Sequence, residues 1–242
     1  MAFPPRCLLC RTGLNDRDRR FCSHCTDLVA VERGKQQCPR CAAEVWDAGN
    51  DLANCNDCRA LSLRTAGLVR VGAYRGTVGH LLRSYKFHGR LELAGILGAY
   101  LSEVVKNAKW LHRVEAVSAV PTHWRRRFMK RSEYPADVFA RYVAAATGLP
   151  RVALLRRLRQ GRHQIGLPYT ARYTNVRGAF AVRRGVELNK ARILLIDDVR
   201  TSGATLDECA RVLRKAGAAE VYAAVVARVT HAYAGSPELV SA

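Results

Sequence analysis

The chain's 242 residues carry 40 Lys and Arg against 20 Asp and Glu, a formal net charge of +20, and 49% of them are hydrophobic. This length and apolar content suit one sizeable globular domain plus a small one. The longest stretch free of charged side chains, Leu93 to Ser102, is about half of what a bilayer crossing needs, which excludes a membrane span.

The N-terminus, MAFPPRCLLCR, lacks the apolar core of a signal peptide, so a cytoplasmic protein is expected. Eight of the nine cysteines then fall as four CxxC pairs: Cys7 and Cys10, Cys22 and Cys25, Cys38 and Cys41, Cys55 and Cys58. A disulfide framework would need an oxidising compartment. Two thiolates separated by two residues can instead turn onto one ion, and two such knuckles complete a tetrahedral structural site, so two Zn²⁺ are expected. Sequential pairing gives tandem ribbons and alternating pairing a cross-brace; the tandem form closes its loops locally at lower entropic cost. Residues 1–66 contain few long apolar runs, so metal binding should supply much of their stability and its removal should unfold them first.

From residue 67 onward the pattern alternates strands with helices. GLVRVGAY (67–74) reads as a strand, TVGHLLRSYKFHG (77–89) as a helix and its exit, LAGILGAYLSEVVKNA (93–108) as a second helix and VEAVSAVP (114–121) as a buried strand. PADVFARYVAAATG (135–148) reads as a helix, with Pro135 suited to its first turn and Gly148 to its C-terminal cap. The polar stretch 156–180 shows no clear period. ILLID (193–197) is a strand, LDECARVLRKAG (206–217) an amphipathic helix with Cys209 on its apolar face, and EVYAAVVARV (220–229) a further strand. Near-continuous apolar strands between amphipathic helices imply an α/β fold, a parallel sheet with helices on both faces.

Charge is unevenly spread. Residues 67–196 carry 25 basic against 6 acidic side chains, with the densest runs at WRRRFMKR (124–131) and LLRRLRQGRHQ (154–164). Such an excess attracts polyanions, nucleic acid or phosphorylated ligands. Trp124, Phe128 and Tyr134 interleave with the first run, as core aromatics or as stacking surfaces.

Against this basic background two acids, Asp197 and Asp198, stand at the carboxyl end of an apolar strand, the edge where ligands collect in parallel sheets. Thr201, Ser202, Gly203, Ala204 and Thr205 follow, a turn whose amides and hydroxyls can converge on an anion at a helix N-terminus. Acids beside an anion cradle suit a ribose 5-phosphate, the carboxylates on sugar hydroxyls and the turn on the phosphate.

ILLIDDVRTSGAT resembles the phosphoribosyl pyrophosphate loop of type I phosphoribosyltransferases. Carried over by position, the loop from Asp197 through Val199 and Arg200 to Thr205 would bind the phosphoribosyl group, with Asp197 and Asp198 on the 2′- and 3′-hydroxyls. The whole chain is similar to the ComF-type proteins of bacterial DNA uptake, through the four CxxC pairs, YKFHGR (85–90), VPTHWRRR (120–127), Gln164, ARYTNVRGAF (171–180) and the Asp197 loop. Where that family usually reads R-G-F-N-Q, this chain has Arg131, Ser132, Glu133, Tyr134 and Pro135.

The resemblance implies a double zinc ribbon over 1–66 and a phosphoribosyltransferase-like domain over 67–242. It implies single-stranded DNA and a competence helicase as partners, the latter through the zinc ribbons, and a pyrophosphate or polyanion contact at Thr122, Arg125, Arg126, Arg127 and Arg131. In an enzymatic reading, Mg²⁺ bridges the ribose and pyrophosphate oxygens of phosphoribosyl pyrophosphate; in a binding reading, the pocket is a ligand sensor or a foothold for nucleic-acid phosphate. A nucleobase-salvage phosphoribosyltransferase is the alternative function. No general base is evident in the sequence.

Overall fold

The computed structural model describes residues 5–15, 20–45, 55, 57–58, 63–121, 134–159 and 174–229. Its centre is a four-stranded sheet built from β1 (Gly67–Ala73), β2 (Ala116–Ala119), β5 (Arg192–Arg200) and β6 (Glu220–Arg228), in the order β1-β6-β5-β2, every neighbouring pair parallel. The helices are α1 (Ser23–Gly34), α2 (Thr77–Phe87), α3 (Leu93–Lys106), α4 (Pro135–Thr147) and α5 (Ala204–Lys215). None is long and apolar enough to cross a membrane.

The unbroken run ILLI in β5 looks all-apolar in sequence, but the pleat divides it. Leu194 and Ile196 join Val69, Val71, Tyr222 and Ala224 beneath α2, α3 and α4. Ile193 and Leu195 join Leu68, Val221, Ala223 and Val225 beneath Leu206, Cys209, Ala210 and Leu213 of α5. Both faces are covered, which is why the strands show no polar alternation. Cys209 is fully buried, a small apolar side chain in this layer.

Local signals match the helix ends. Pro135 opens α4, and Gly148 closes it at φ 74°, its N–H donating to the Ala144 carbonyl at 2.9 Å. Leu93, Leu97, Leu101 and Val105 form the fully buried stripe of α3, and Gly98 leaves room for the Tyr142 ring of α4. Four elements differ from the expectations. The stretch 156–180 contributes β3 (Leu155–Arg157) and β4 (Phe180–Val182), paired antiparallel. β5 continues through both acids to Arg200, because β6 is equally long and extends the ladder. Helix α1 lies inside the cysteine-rich segment, burying Cys25, Val29 and Glu32 at intervals of four and three residues.

The cysteine-rich segment is not an appendage. Cys7, Leu14, Phe21, Cys25 and Val29 belong to the same apolar cluster as α2, α3 and α4. Gln37 brackets the edge strand β1, accepting from Arg70 N at 2.9 Å and donating to Arg70 O at 3.2 Å, while Leu68 N donates to Pro39 O at 3.1 Å. An open sheet edge would otherwise present these groups to solvent. Glu32, only 7% exposed, accepts from Ala73 N at 2.7 Å and Val78 N at 3.0 Å, tying α1 to the end of β1 and the start of α2.

Candidate functional site

The acids owe their accessibility to unequal strands. β2 ends at Ala119 opposite Ile196, whereas β6 runs beside β5 as far as Arg228. Among the described residues the strand beyond Ile196 therefore has a partner on one side only, and Asp197 and Asp198 stand half-buried at the carboxyl edge. Asp197 Oδ1 accepts from the Asp198 amide at 2.8 Å. Burial, reinforced by the charge of Asp198, pushes the Asp197 carboxyl up from 3.8 to about 7, against the pull of that amide, Lys86 and Arg157.

The turn after β5 is tight. Gly203 holds φ 88°, and a Cβ there would sit 3.0 Å from the guanidinium of Arg200, which is itself 2% exposed and lies beneath the turn. Thr201 and Thr205 are half-buried, Val199 likewise, and Ser202 and Ala204 are buried. Ser202 Oγ accepts from the Ala204 amide at 3.4 Å. Helix α5 starts at Ala204, so the first-turn amides and the positive end of its dipole face this turn. The fourth side of the site is Lys86, in the last turn of α2, whose Nζ lies 2.6 Å from Asp198 Oδ2. Burial disfavours its ammonium, but the attraction and hydrogen bond of Asp198 outweigh that and raise its pKa.

The eight paired cysteines form two clusters in tandem, Cys7, Cys10, Cys22 and Cys25, then Cys38, Cys41, Cys55 and Cys58. A tetrahedral Zn–S bond of about 2.3 Å requires sulfurs roughly 3.8 Å apart. Cys10 and Cys22 are 3.7 Å apart, and Cys38–Cys58 and Cys41–Cys55 are each 3.6 Å apart. The two knuckles repeat: Arg11 and Ala42 take positive φ of 68° and 56° after the second cysteine, and their amides donate to the carbonyls of Cys7 and Cys38. In each cluster at least one thiol is drawn toward the thiolate. The Cys41 side chain holds Cys38 at about 5, and Thr12 holds Cys10 at about 6. Two all-cysteine sites with no open position fit structural zinc.

Thr122, Arg125, Arg126, Arg127 and Arg131 lie outside the described residues, as do Trp124, Phe128, Gln164 and Arg172; Tyr134 is half-buried. Tyr134 lines a cavity of about 60 Å³ at the end of β2 with Asp137, Arg151 and Arg183. A wider concavity of about 400 Å³ is lined by Arg64, Arg211, Arg214 and Lys215. Sequence reasoning missed this second cluster, because its members come from the two stretches of lowest net charge and only the fold gathers them. It also missed Lys86, which lay inside YKFHGR but had no visible partner until α2 was placed across from β5.

The double zinc ribbon domain family matches residues 1–59, and the phosphoribosyl transferase domain family matches residues 130–237. Competence protein F of Haemophilus influenzae is 27% identical over 222 residues, 89% of this chain and 93% of that protein. The DNA utilization protein YhgH of Escherichia coli K12 is 28% identical over 228 residues, 91% and 96% respectively. Competence protein ComFC of Streptococcus pneumoniae is 26% identical over 210 residues, 86% and 87%.

Proposed function

We propose, from the premise that this chain is a homologue of the ComF-type competence and DNA utilization proteins and joins a double zinc ribbon to a phosphoribosyl transferase domain, that it binds a phosphoribosyl ligand at the end of β5 and handles single-stranded DNA during uptake. Asp197 and Asp198 accept the 2′- and 3′-hydroxyls of the ribose, and the amides of Thr201 to Thr205 hold the 5′-phosphate. The observation that carries this reading is the juxtaposition of an acid pair with a Gly203-centred turn and a helix N-terminus within seven residues of the carboxyl edge.

The division of labour in this reading runs 1–66 as zinc ribbons that engage a helicase-type partner and 67–242 as the ligand and DNA module, in the cytoplasm. Thr122, Arg125, Arg126, Arg127 and Arg131 take the pyrophosphate or the DNA backbone. The concave cluster of Arg64, Arg211, Arg214 and Lys215 adds to the basic surface. Mg²⁺ fits as a companion of the ligand: it binds through one or two carboxylates plus phosphate oxygens and retains waters, and the described residues at this edge offer two adjacent acids. When bound it would neutralise pyrophosphate charge. The chain's own part is to orient the ribose through the acids and to fix the phosphate on rigid amides.

Isothermal titration of the zinc-loaded protein with ribose 5-phosphate, and with phosphoribosyl pyrophosphate plus Mg²⁺, tests the site. Binding is expected, and Asp197→Asn and Asp198→Asn should weaken it; no binding to either ligand overturns the reading. Pyrophosphate exchange with a panel of bases separates turnover, as in salvage, from binding alone. Single-stranded DNA affinity should fall steeply with salt and with replacement of Arg125, Arg126 and Arg127 by Ala; insensitivity to both would defeat the DNA role.

A further inference from the structure

We propose that the second zinc cluster braces the phosphate turn from beneath through Asp57, Arg228 and Asp207, so that metal binding in that cluster and phosphate binding at the end of β5 strengthen each other. This rests on the phosphoribosyl reading above and adds to it a regulation of the same site.

The turn stands over buried arginines. Gly203 closes against the guanidinium of Arg200, and Arg200 and Arg228 are register partners at the ends of β5 and β6. Neighbouring strands lie about 5 Å apart, so two buried cations end adjacent strands below the turn. Such an arrangement holds only where acceptors meet the charges. For Arg228 that acceptor is Asp57, which Nη2 reaches; among the described residues its Nε and Nη1 have no hydrogen-bond acceptor. Asp57 lies between Cys55 and Cys58, so the counter-charge beneath the turn is carried by a metal-binding segment and follows its position.

A second tie reaches the helix that opens from the turn. In the first turn of α5 Asp207 N donates to Gly203 O at 2.9 Å, and Asp207 Oδ1 accepts from Arg64 N at 3.2 Å. Arg64 lies on the passage from Cys58 to β1, so the first turn of α5 is held by the segment that leaves the second cluster. Ala42 O, beside Cys41, accepts from the buried Arg70 Nε at 2.8 Å and fixes the same ribbon to β1. The described contacts of the first cluster lead elsewhere: Cys7 and Cys25 pack with α2, α3 and α4, and Leu8 O accepts from Arg90 Nη1 at 2.5 Å. Loss of order around Cys55 and Cys58 therefore strands Arg228 and loosens the first turn of α5, and both changes reach the amides that hold the phosphate. A ligand that needs the turn closed must in return favour the ordered cluster, by the same factor.

Calorimetry and zinc-buffered dialysis of the full-length protein test the coupling. The double variant Asp57→Ala with Arg228→Met removes both charges together. It should retain two equivalents of zinc and melt near the wild type, yet bind ribose 5-phosphate about tenfold more weakly, within the ordinary range of coupling between sites. Asp57→Glu, which keeps the carboxylate, should keep most of the affinity. Wild-type affinity in the double variant would show that the pair serves the fold alone, and overturns the proposal. In the wild type, saturating ribose 5-phosphate should lower the free zinc concentration at which one of the two equivalents is lost by about the same tenfold, and the double variant should lose that difference between equivalents. An equal shift for both equivalents, or no shift, overturns the coupling, because general stabilisation of the fold protects both metals alike. Failure of the wild type to bind ribose 5-phosphate overturns the phosphoribosyl site and the brace with it.

Discussion

The Lys86 ammonium lies 2.6 Å from Asp198 Oδ2, so the acid pair at the end of β5 carries its own counter-charge before any ligand arrives. A sugar phosphate approaching two bare carboxylates would meet repulsion; Lys86 reduces it and leaves the other oxygens to accept hydroxyls. The same charge also pulls Asp197 toward ionisation. Lys86→Met should therefore raise the Asp197 pKa above its value of about 7 and shift the midpoint of ribose 5-phosphate binding to higher pH. Calorimetry from pH 6 to 9 checks this, with inorganic phosphate as the reference, since it has no sugar hydroxyls for the acids and its binding should not show a shift between wild type and variant.

Asp197 also sets a stability cost. Its carboxyl titrates near 3.8 in an unfolded chain and at about 7 in the fold, so between those values the folded state holds the proton that the unfolded state has lost. Stability is then highest below pH 3.8 as far as this group is concerned and declines as pH rises to 7, with a ceiling of about 4 kcal/mol for a shift of this size. Asp197→Asn should melt at higher temperature than the wild type at pH 8 and converge with it toward pH 4, while losing ribose 5-phosphate affinity. Parallel melting curves at both pH values would show that burial does not strain this carboxylate. Gain of stability with loss of binding is the pattern of a functional residue.

Gly203 offers a backbone test that leaves every polar side chain in place. At φ 88° an alanine is strained by about 1–2 kcal/mol, and its Cβ would stand 3.0 Å from the Arg200 guanidinium. Gly203→Ala should lower the melting temperature by a few degrees and weaken phosphate-bearing ligands more than tenfold, because the turn opens. Calorimetry with ribose 5-phosphate and a thermal melt measure the two effects; full affinity in the variant would exclude the turn as the phosphate cradle.

Much of this was legible in the sequence because the signals are local. ILLI followed by Asp197 and Asp198 places the strand and its edge, Pro135 and Gly148 frame a helix, and four CxxC pairs announce two metal sites. What escaped depends on distant pairing. Lys86 acquires meaning only when α2 packs across from β5, and Arg64, Arg211, Arg214 and Lys215 converge from separate segments with little net charge. Helix α1 was hidden because its buried face uses Cys25 and Glu32 beside a single valine, residues that read as metal ligand and surface charge. The short pair β3 and β4 lies in an Arg-rich stretch where buried Leu155 and Phe180 are set among charged and polar residues with no regular period.

A buried ion pair joins the second zinc cluster to the sheet. Arg228, 2% exposed at the end of β6, is bonded through Nη2 to Asp57, which lies between Cys55 and Cys58. Among the described residues its Nε and Nη1 have no hydrogen-bond acceptor. Asp57→Ala would leave a buried guanidinium uncompensated and should cost about 3–5 kcal/mol, measured by denaturant unfolding. A double variant with Arg228→Met should recover most of that loss, since an apolar replacement removes the stranded charge; no recovery would show that Asp57 acts elsewhere.

Zinc removal should destabilise more than the ribbons. A free-standing metal module would unfold first and leave the sheet untouched, the outcome expected from the sparse apolar content of residues 1–66. Yet Cys7, Leu14, Phe21, Cys25 and Val29 share one apolar cluster with α2, α3 and α4, and Glu32 supplies the acceptor for the Ala73 and Val78 amides. Chelation should therefore abolish hydrogen-exchange protection at Ala73 and Val78 together with protection in α1, and lower the melting temperature of the whole protein. Glu32→Ala in the zinc-loaded protein should reproduce the loss at those two amides and cost about 2–4 kcal/mol, because the buried Val78 amide and the partly buried Ala73 amide lose their acceptor. Retention of protection in β1 and α2 after complete zinc loss would show that the ribbons only rest against the sheet, and that the shared cluster does not couple their folding.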